Sequence, residues 1–93
     1  MEIQHEDNGK KGMFFVKDEA GKIIAEMSYV WAGDASIIID HTEVDPVLKG
    51  KGIGKQLVSK SVDLAREKKV KIIPLCPFAK SVFEKVETFQ DVL

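Results

Sequence analysis

"VLKGKGIGKQL", Val47 to Leu57, is the stretch on which the reading of this chain turns. Gly50, Gly52 and Gly54 alternate with other residues, Lys49, Lys51 and Lys55 stand among them, and a helical apolar pattern follows. Glycine adds conformational entropy that folding must remove, so three set so close together mark a backbone that bends sharply or approaches something closely. A phosphate is the leading candidate.

Downstream of Pro46 the apolar period is helical. Ile53, Leu57, Val58, Val62, Leu64 and Ala65 recur with charged residues between them, which predicts an amphipathic helix from Gly52 to about Lys68. "VKIIPL", bounded by Pro74 and Pro77, reads as a short buried strand, and Pro77 suits the first position of a last helix carrying Phe78, Val82, Phe83 and Val86. Upstream, "EIQHED", "MFFVKD", "GKIIAEMSYVWAG" and "ASIIIDHTEV" read as strands separated by Asn-Gly, Ala-Gly-Lys and Gly-Asp turn chemistry. The order β-β-β-β-α-β-α follows, an α/β (α+β) mixed sheet in which an antiparallel meander is followed by a right-handed parallel crossover. The glycine-rich turn then lies between the end of a strand and the start of a helix, where free amides and the helix dipole attract anions.

Composition limits the possible functions. The 93 residues make one domain, 1–93, with room for one site. Hydrophobic residues are 44%, charged residues 31% and the net charge is −1, so there is no general basic excess of the kind a nucleic-acid binder carries. Cys76, the single cysteine, excludes an intrachain disulfide and fits a reducing compartment. No apolar run is long enough for a membrane span, and "MEIQHEDNGK" lacks the apolar core of a signal peptide, so a cytoplasmic location is expected. No spacing of His, Cys, Asp and Glu suggests a metal site. An exposed sheet edge and a monomer are equally compatible with the pattern. His5, Tyr29 and Trp31 are expected to serve packing or surface, the two aromatics in the third-strand pattern.

Two nucleotide loops fail on inspection. A P-loop ending at Gly54-Lys55 would have Lys49 at its first glycine and Gln56 at its metal-binding hydroxyl, and the spacing of Gly50, Gly52 and Gly54 breaks the dinucleotide pattern. The stretch Lys49-Gly50-Lys51-Gly52-Ile53-Gly54 instead resembles the coenzyme A loop of the GNAT superfamily of acyl-CoA-dependent N-acyltransferases, Gln/Arg-x-x-Gly-x-Gly/Ala. "CPFAKSVFEK" is similar to the family's Asn-x-x-Ala-x-x-x-Tyr followed by Glu-Lys, with Ala79 and Glu84-Lys85 in register. Cys76 stands where the family usually has asparagine and Phe83 where it often has tyrosine, and the helices that larger members place between the first two strands are missing. These features look like the very short, YjdJ-type subgroup. The likeness runs from Ile37 to about Val86. It implies acetyl-CoA or coenzyme A as cofactor, held by Val44, Lys49, Gly50, Lys51, Gly52, Ile53, Gly54, Lys55, Phe78 and Ala79, and an amine acceptor whose identity the sequence does not carry.

Acyl transfer from a thioester needs an amine positioned near the carbonyl, a proton acceptor and a stabilised oxyanion. Asp40, His41, Thr42, Glu43 and Asp45 crowd the end of the fourth strand, more polar groups than a hairpin edge requires. His41 and Glu43 share one face and Thr42 the other, unless a bulge changes the register. His41 is the candidate base, supported by Thr42 and Glu43; the alternative is a solvated strand face. Cys76, at the expected N-cap of the last helix, is a candidate acyl acceptor, a proton donor to the leaving thiolate, or a small buried hydrophobe. A pairing of Cys76 with His41 is expected if their strands are adjacent. An enzyme is favoured, with a coenzyme A-binding regulatory or partner module as the alternative.

Overall fold

A computed structural model describes residues 2–93. Strands β1 (Gln4–Asp7), β2 (Lys11–Lys17), β3 (Ile23–Ala32) and β4 (Ser36–Val44) form an antiparallel meander. Helix α1 (Ile53–Lys68) crosses over to β5 (Lys71–Pro74), which joins β4 in parallel, and helix α2 (Pro77–Lys85) follows. The sheet order is β1-β2-β3-β4-β5, so the mixed architecture expected from the sequence is the one found. Two 3₁₀ segments, Pro46–Leu48 and Glu87–Val92, are too short to leave a periodic signature. Among the described residues, no helix is long and apolar enough to cross a membrane.

One core joins the sheet to its helices. Ala25, Met27, Tyr29, Ile37, Ile39 and Ile72 on the strands pack with Leu57, Val58, Val62, Val82 and Phe83 on the helices. Each such aliphatic side chain withdrawn from water contributes roughly 1.5–3 kcal/mol. The last segment is tied back by Arg66, whose guanidinium donates to both Asp91 carboxylate oxygens and to the Thr88 carbonyl.

Two local features of β4 place the site. Met27 pairs with Thr42 and Tyr29 with Ile39, so Ser28 alone opposes Asp40 and His41, and β4 carries a one-residue bulge. Because side chains alternate, that extra residue exchanges the faces beyond it. Thr42 and Val44 turn toward the helices, while His41 and Glu43 turn toward the opposite, open face. Pairing of β4 with β5 ends at Ile39 and Pro74, where the amides of Leu75 and Cys76 both donate to the Ile39 carbonyl. From Asp40 to Val44 the two strands part.

The β1 edge is secured by polar groups around Tyr29, which is fully buried. Its hydroxyl donates to Asp7 Oδ2 at 2.6 Å and lies 2.6 Å from His5 Nε2, and Trp31 Nε1 donates to the same Asp7 oxygen at 2.9 Å. The His5 ring also stacks on Phe14 at 4.2 Å. Burial and the Asp7 carboxylate push the Tyr29 phenol upward, so it stays a neutral donor. Burial also pushes the Asp7 carboxyl upward, but hydrogen bonds from Tyr29, the Gly9 amide and Trp31 outweigh it and hold Asp7 below its ordinary 3.8. A depressed carboxylate contributes its full stabilisation above the unfolded value and loses it as pH falls through the folded one. Trp31 emission is therefore expected to change as pH falls below 3.8, and Asp7→Asn to remove that change. Emission that stays flat until far-UV circular dichroism reports global unfolding would contradict the coupling.

Candidate functional site

The glycine-rich turn does what its spacing suggests at two of its three glycines. Gly50 and Gly52 take left-handed backbone angles, φ 82° and 70°, with open space where a Cβ would project. Gly52 is the N-cap of α1 and no side chain caps the helix, so the first-turn amides face outward beside Lys49 and Lys55. Gly54 differs. Its missing Cβ leaves the space that the Phe78 ring of α2 occupies, so this glycine serves contact between the two helices and not close approach of a phosphate.

A cavity of about 530 Å³ opens between this turn and α2, within the range of small-molecule sites. Of the residues that the sequence assigned to the cofactor, Val44, Lys49, Gly50, Gly52, Ile53, Gly54, Lys55 and Phe78 line it. Lys51 is exposed outside it, and Ala79 is buried behind it. Leu48, Ser81, Val82, Lys85 and Val86 complete the wall. The α2 residues among them follow from the helical spacing of Phe78, Val82 and Val86, and Lys85 adds a cation on the same side.

If the turn holds coenzyme A as the family resemblance implies, Gly52→Val is expected to weaken that binding by at least about tenfold, a change of roughly 1.4 kcal/mol. Left-handed backbone costs a side-chain-bearing residue roughly 1–2 kcal/mol, and relief of that strain re-aims the amides. NMR titration with coenzyme A checks this, and undiminished affinity, or shifts confined to residues outside 44–55, would contradict it.

Cys76 lies where β4 and β5 part. It is the N-cap of α2, Pro77 opens the helix, and its Sγ is 3.4 Å from Thr42 Oγ1. Burial pushes the thiol upward, but the hydrogen bond with Thr42 and the amides of Ala79, Phe78 and Thr42 outweigh it and hold Cys76 below the ordinary thiol value of 9.0.

His41 does not meet Cys76. The bulge leaves Thr42 facing the thiol, while His41 and Glu43 stand exposed on the open face with Nε2 and Oε2 3.4 Å apart. Beside them lies Glu26 of β3, directly opposite Glu43 in register. One ligand-type atom from each of Glu26, His41 and Glu43 lies within 4.8 Å of the others. Nothing in local spacing reveals Glu26, because only the β3–β4 register brings it there.

Comparison with known proteins gives the family and the fold. The family described as GCN5-related N-acetyltransferase matches residues 13–92. A GCN5-like protein of Staphylococcus aureus, solved by NMR, is 40% identical over 98% of this chain and 85% of its own, with a TM-score of 0.78. A ribosomal-protein-alanine N-acetyltransferase of Brucella melitensis is 18% identical, TM-score 0.67, over 85% of this chain and 64% of its own. An acetyltransferase of Clostridium acetobutylicum, crystallised with acetyl-CoA, is 18% identical, TM-score 0.68, over 84% of this chain and 57% of its own. The latter two likenesses are of fold, and the chain spans less than two thirds of either protein. No curated protein matches the chain.

Proposed function

Because the chain belongs to the GCN5-related N-acetyltransferase family, we propose that it binds acetyl-CoA between the glycine-rich turn and α2 and moves the acetyl group to an amine. The observation that carries this proposal is the continuity of the cavity. It runs from the first-turn amides of α1 to Val44, on the stretch of β4 that has left β5; just beyond its lining, Thr42 lies on the same strand face as Val44 and holds Cys76, at the head of α2, beside it.

The residues present fit the cofactor. Outward-facing amides with Lys49, Lys55 and Lys85 suit its phosphates, and Val44, Leu48, Ile53 and Val82 suit its pantetheine arm. Acetyl-CoA supplies an acetyl group activated as a thioester with a thiolate leaving group. Backbone groups of β4 from Asp40 to Val44, left without a β5 partner, would orient the arm and polarise the thioester carbonyl. Cys76, whose thiol Thr42 and the α2 amides hold below its ordinary value, would be the acyl acceptor, its thiolate sulfur taking the acetyl carbon of bound acetyl-CoA with the coenzyme A thiolate as leaving group. An amine approaching through the gap from the open face then takes the acetyl group and restores the Cys76 sulfur. His41 beside Glu43 accepts the proton that the amine loses. Cysteine and histidine act here in successive steps, as their opposite faces require.

Mass spectrometry of the protein with acetyl-CoA, with and without a panel of amines, tests this. An increase equal to one acetyl group on Cys76, discharged when a suitable amine is added, is the expected result. Retention of acetyl-CoA with neither acylated protein nor acylated amine under any condition would overturn the transfer.

A further inference from the structure

The Glu26–His41–Glu43 group is a donor set of a kind that spacing along one strand does not announce. An imidazole and two carboxylates from neighbouring strands converge on the open face of the sheet, their ligand atoms within 4.8 Å of one another. Glu26 and Glu43 sit directly opposite each other, an arrangement of like charges that destabilises a sheet. Among the described residues, no lysine or arginine forms an ion pair with either, and His41 is the only ion-pairing partner of Glu43. The β4 bulge turns His41 to this face, so the register assembles two repelling carboxylates and a nitrogen ligand around one point.

We propose that Glu26, His41 and Glu43 bind a divalent cation of the zinc class. Bonds of about 2.1 Å in a tetrahedral shell place donor atoms about 3.4 Å apart, so groups within 4.8 Å of one another close on an ion by side-chain rotations that bring them together by up to about 1.4 Å. His41 and Glu43, with side chains 57% and 72% exposed, are free to make that adjustment. The imidazole nitrogen selects zinc and its first-row neighbours over magnesium and calcium, which prefer all-oxygen shells. Three protein donors leave remaining positions to water. The ion neutralises the facing carboxylates, and it occupies the lone pairs of His41 and Glu43. Resting on the transfer proposed above, the consequence is inhibition: a bound ion prevents His41 from accepting the amine's proton while leaving the coenzyme A cavity untouched.

The test is calorimetric titration of tag-free protein with zinc chloride in a Cys76→Ser background, so that the thiol contributes no ligand. Magnesium chloride serves as control, and manganese broadening of NMR signals locates the ion. One site per chain is expected, with broadening centred on residues 26, 41 and 43, no response to magnesium, and affinity at least about tenfold lower in Glu26→Gln and in His41→Ala. Absence of zinc binding, affinity unchanged in both variants, or broadening centred elsewhere would overturn the proposal. Activity is read separately with Cys76 intact: zinc lowers acetyl transfer by the parent, and Glu26→Gln, which keeps zinc-free turnover, resists that loss. Zinc binding in a protein that transfers no acetyl group would uphold the ion site and refute the transfer alone.

Discussion

Cys76→Ala is expected to lower acetyl transfer by at least about a hundredfold while coenzyme A still binds, because it removes the proposed acyl-accepting atom and leaves the cavity wall intact. Cys76 is 7% exposed at the head of α2, and its replacement by alanine or serine changes little volume, so the fold should persist. Cys76→Ser separates chemistry from packing. Its hydroxyl can still bond Thr42 but is a far weaker nucleophile near neutral pH, so acyl-enzyme should disappear from the mass spectrum in both variants. In the parent protein the thiol should react with an alkylating agent without unfolding, and coenzyme A should slow that reaction. Parent-like transfer by both variants, with a thiol that resists alkylation until the protein unfolds, would make Cys76 a structural residue.

Gly12→Ala should cause a comparable loss in stability. Gly12 lies within β2 beneath the Tyr29 ring, and an added Cβ would fall 2.5 Å from Tyr29 Cζ and Oη and 2.6 Å from the Glu6 backbone carbonyl. Tyr29 must lift from its bonds to Asp7 and His5, and because the ring's movement leaves the Glu6 contact in place, the paired β1 backbone must shift as well. Overpacking of this kind costs about 1–3 kcal/mol, and a displaced buried hydrogen bond adds about 1 kcal/mol. Against a typical total stability of roughly 5–15 kcal/mol, the melting temperature should fall by about 10 °C or more. Thermal unfolding followed by circular dichroism measures this, and the aromatic near-UV signal should weaken even at low temperature. A loss below about 0.5 kcal/mol would show that Tyr29 has another resting place.

Features built from neighbours in sequence are legible in the sequence itself. The alternation of Gly50, Gly52 and Gly54 ahead of a 3.6-residue apolar period announces a strand–turn–helix with open amides, and the cavity lies there. Pro77 after Cys76 announces the head of α2 with cysteine as its N-cap. Turn chemistry at Asn8-Gly9, Gly21 and Gly33 separates the strands of the meander. Each of these depends on backbone angles and period, properties that a few consecutive residues determine.

Relations between residues far apart in the chain come from tertiary packing alone. "SIIIDHTEV" contains no glycine or proline to mark the extra residue at Asp40–His41; the bulge exists because Met27 and Tyr29 must both stay in the core while Ile39 and Thr42 pair with them. That slip separates His41 from Cys76, gives the thiol Thr42 as its neighbour, and sets His41 beside Glu43 and Glu26 on the open face. Gly12, which stands just before the strand pattern "MFFVKD", is the floor for Tyr29, and Gly54, which reads as part of a phosphate loop, is the seat of Phe78. Local sequence carries conformational preference over a few residues, whereas the facing of side chains across a sheet depends on register, and register is set by burying the whole core at once.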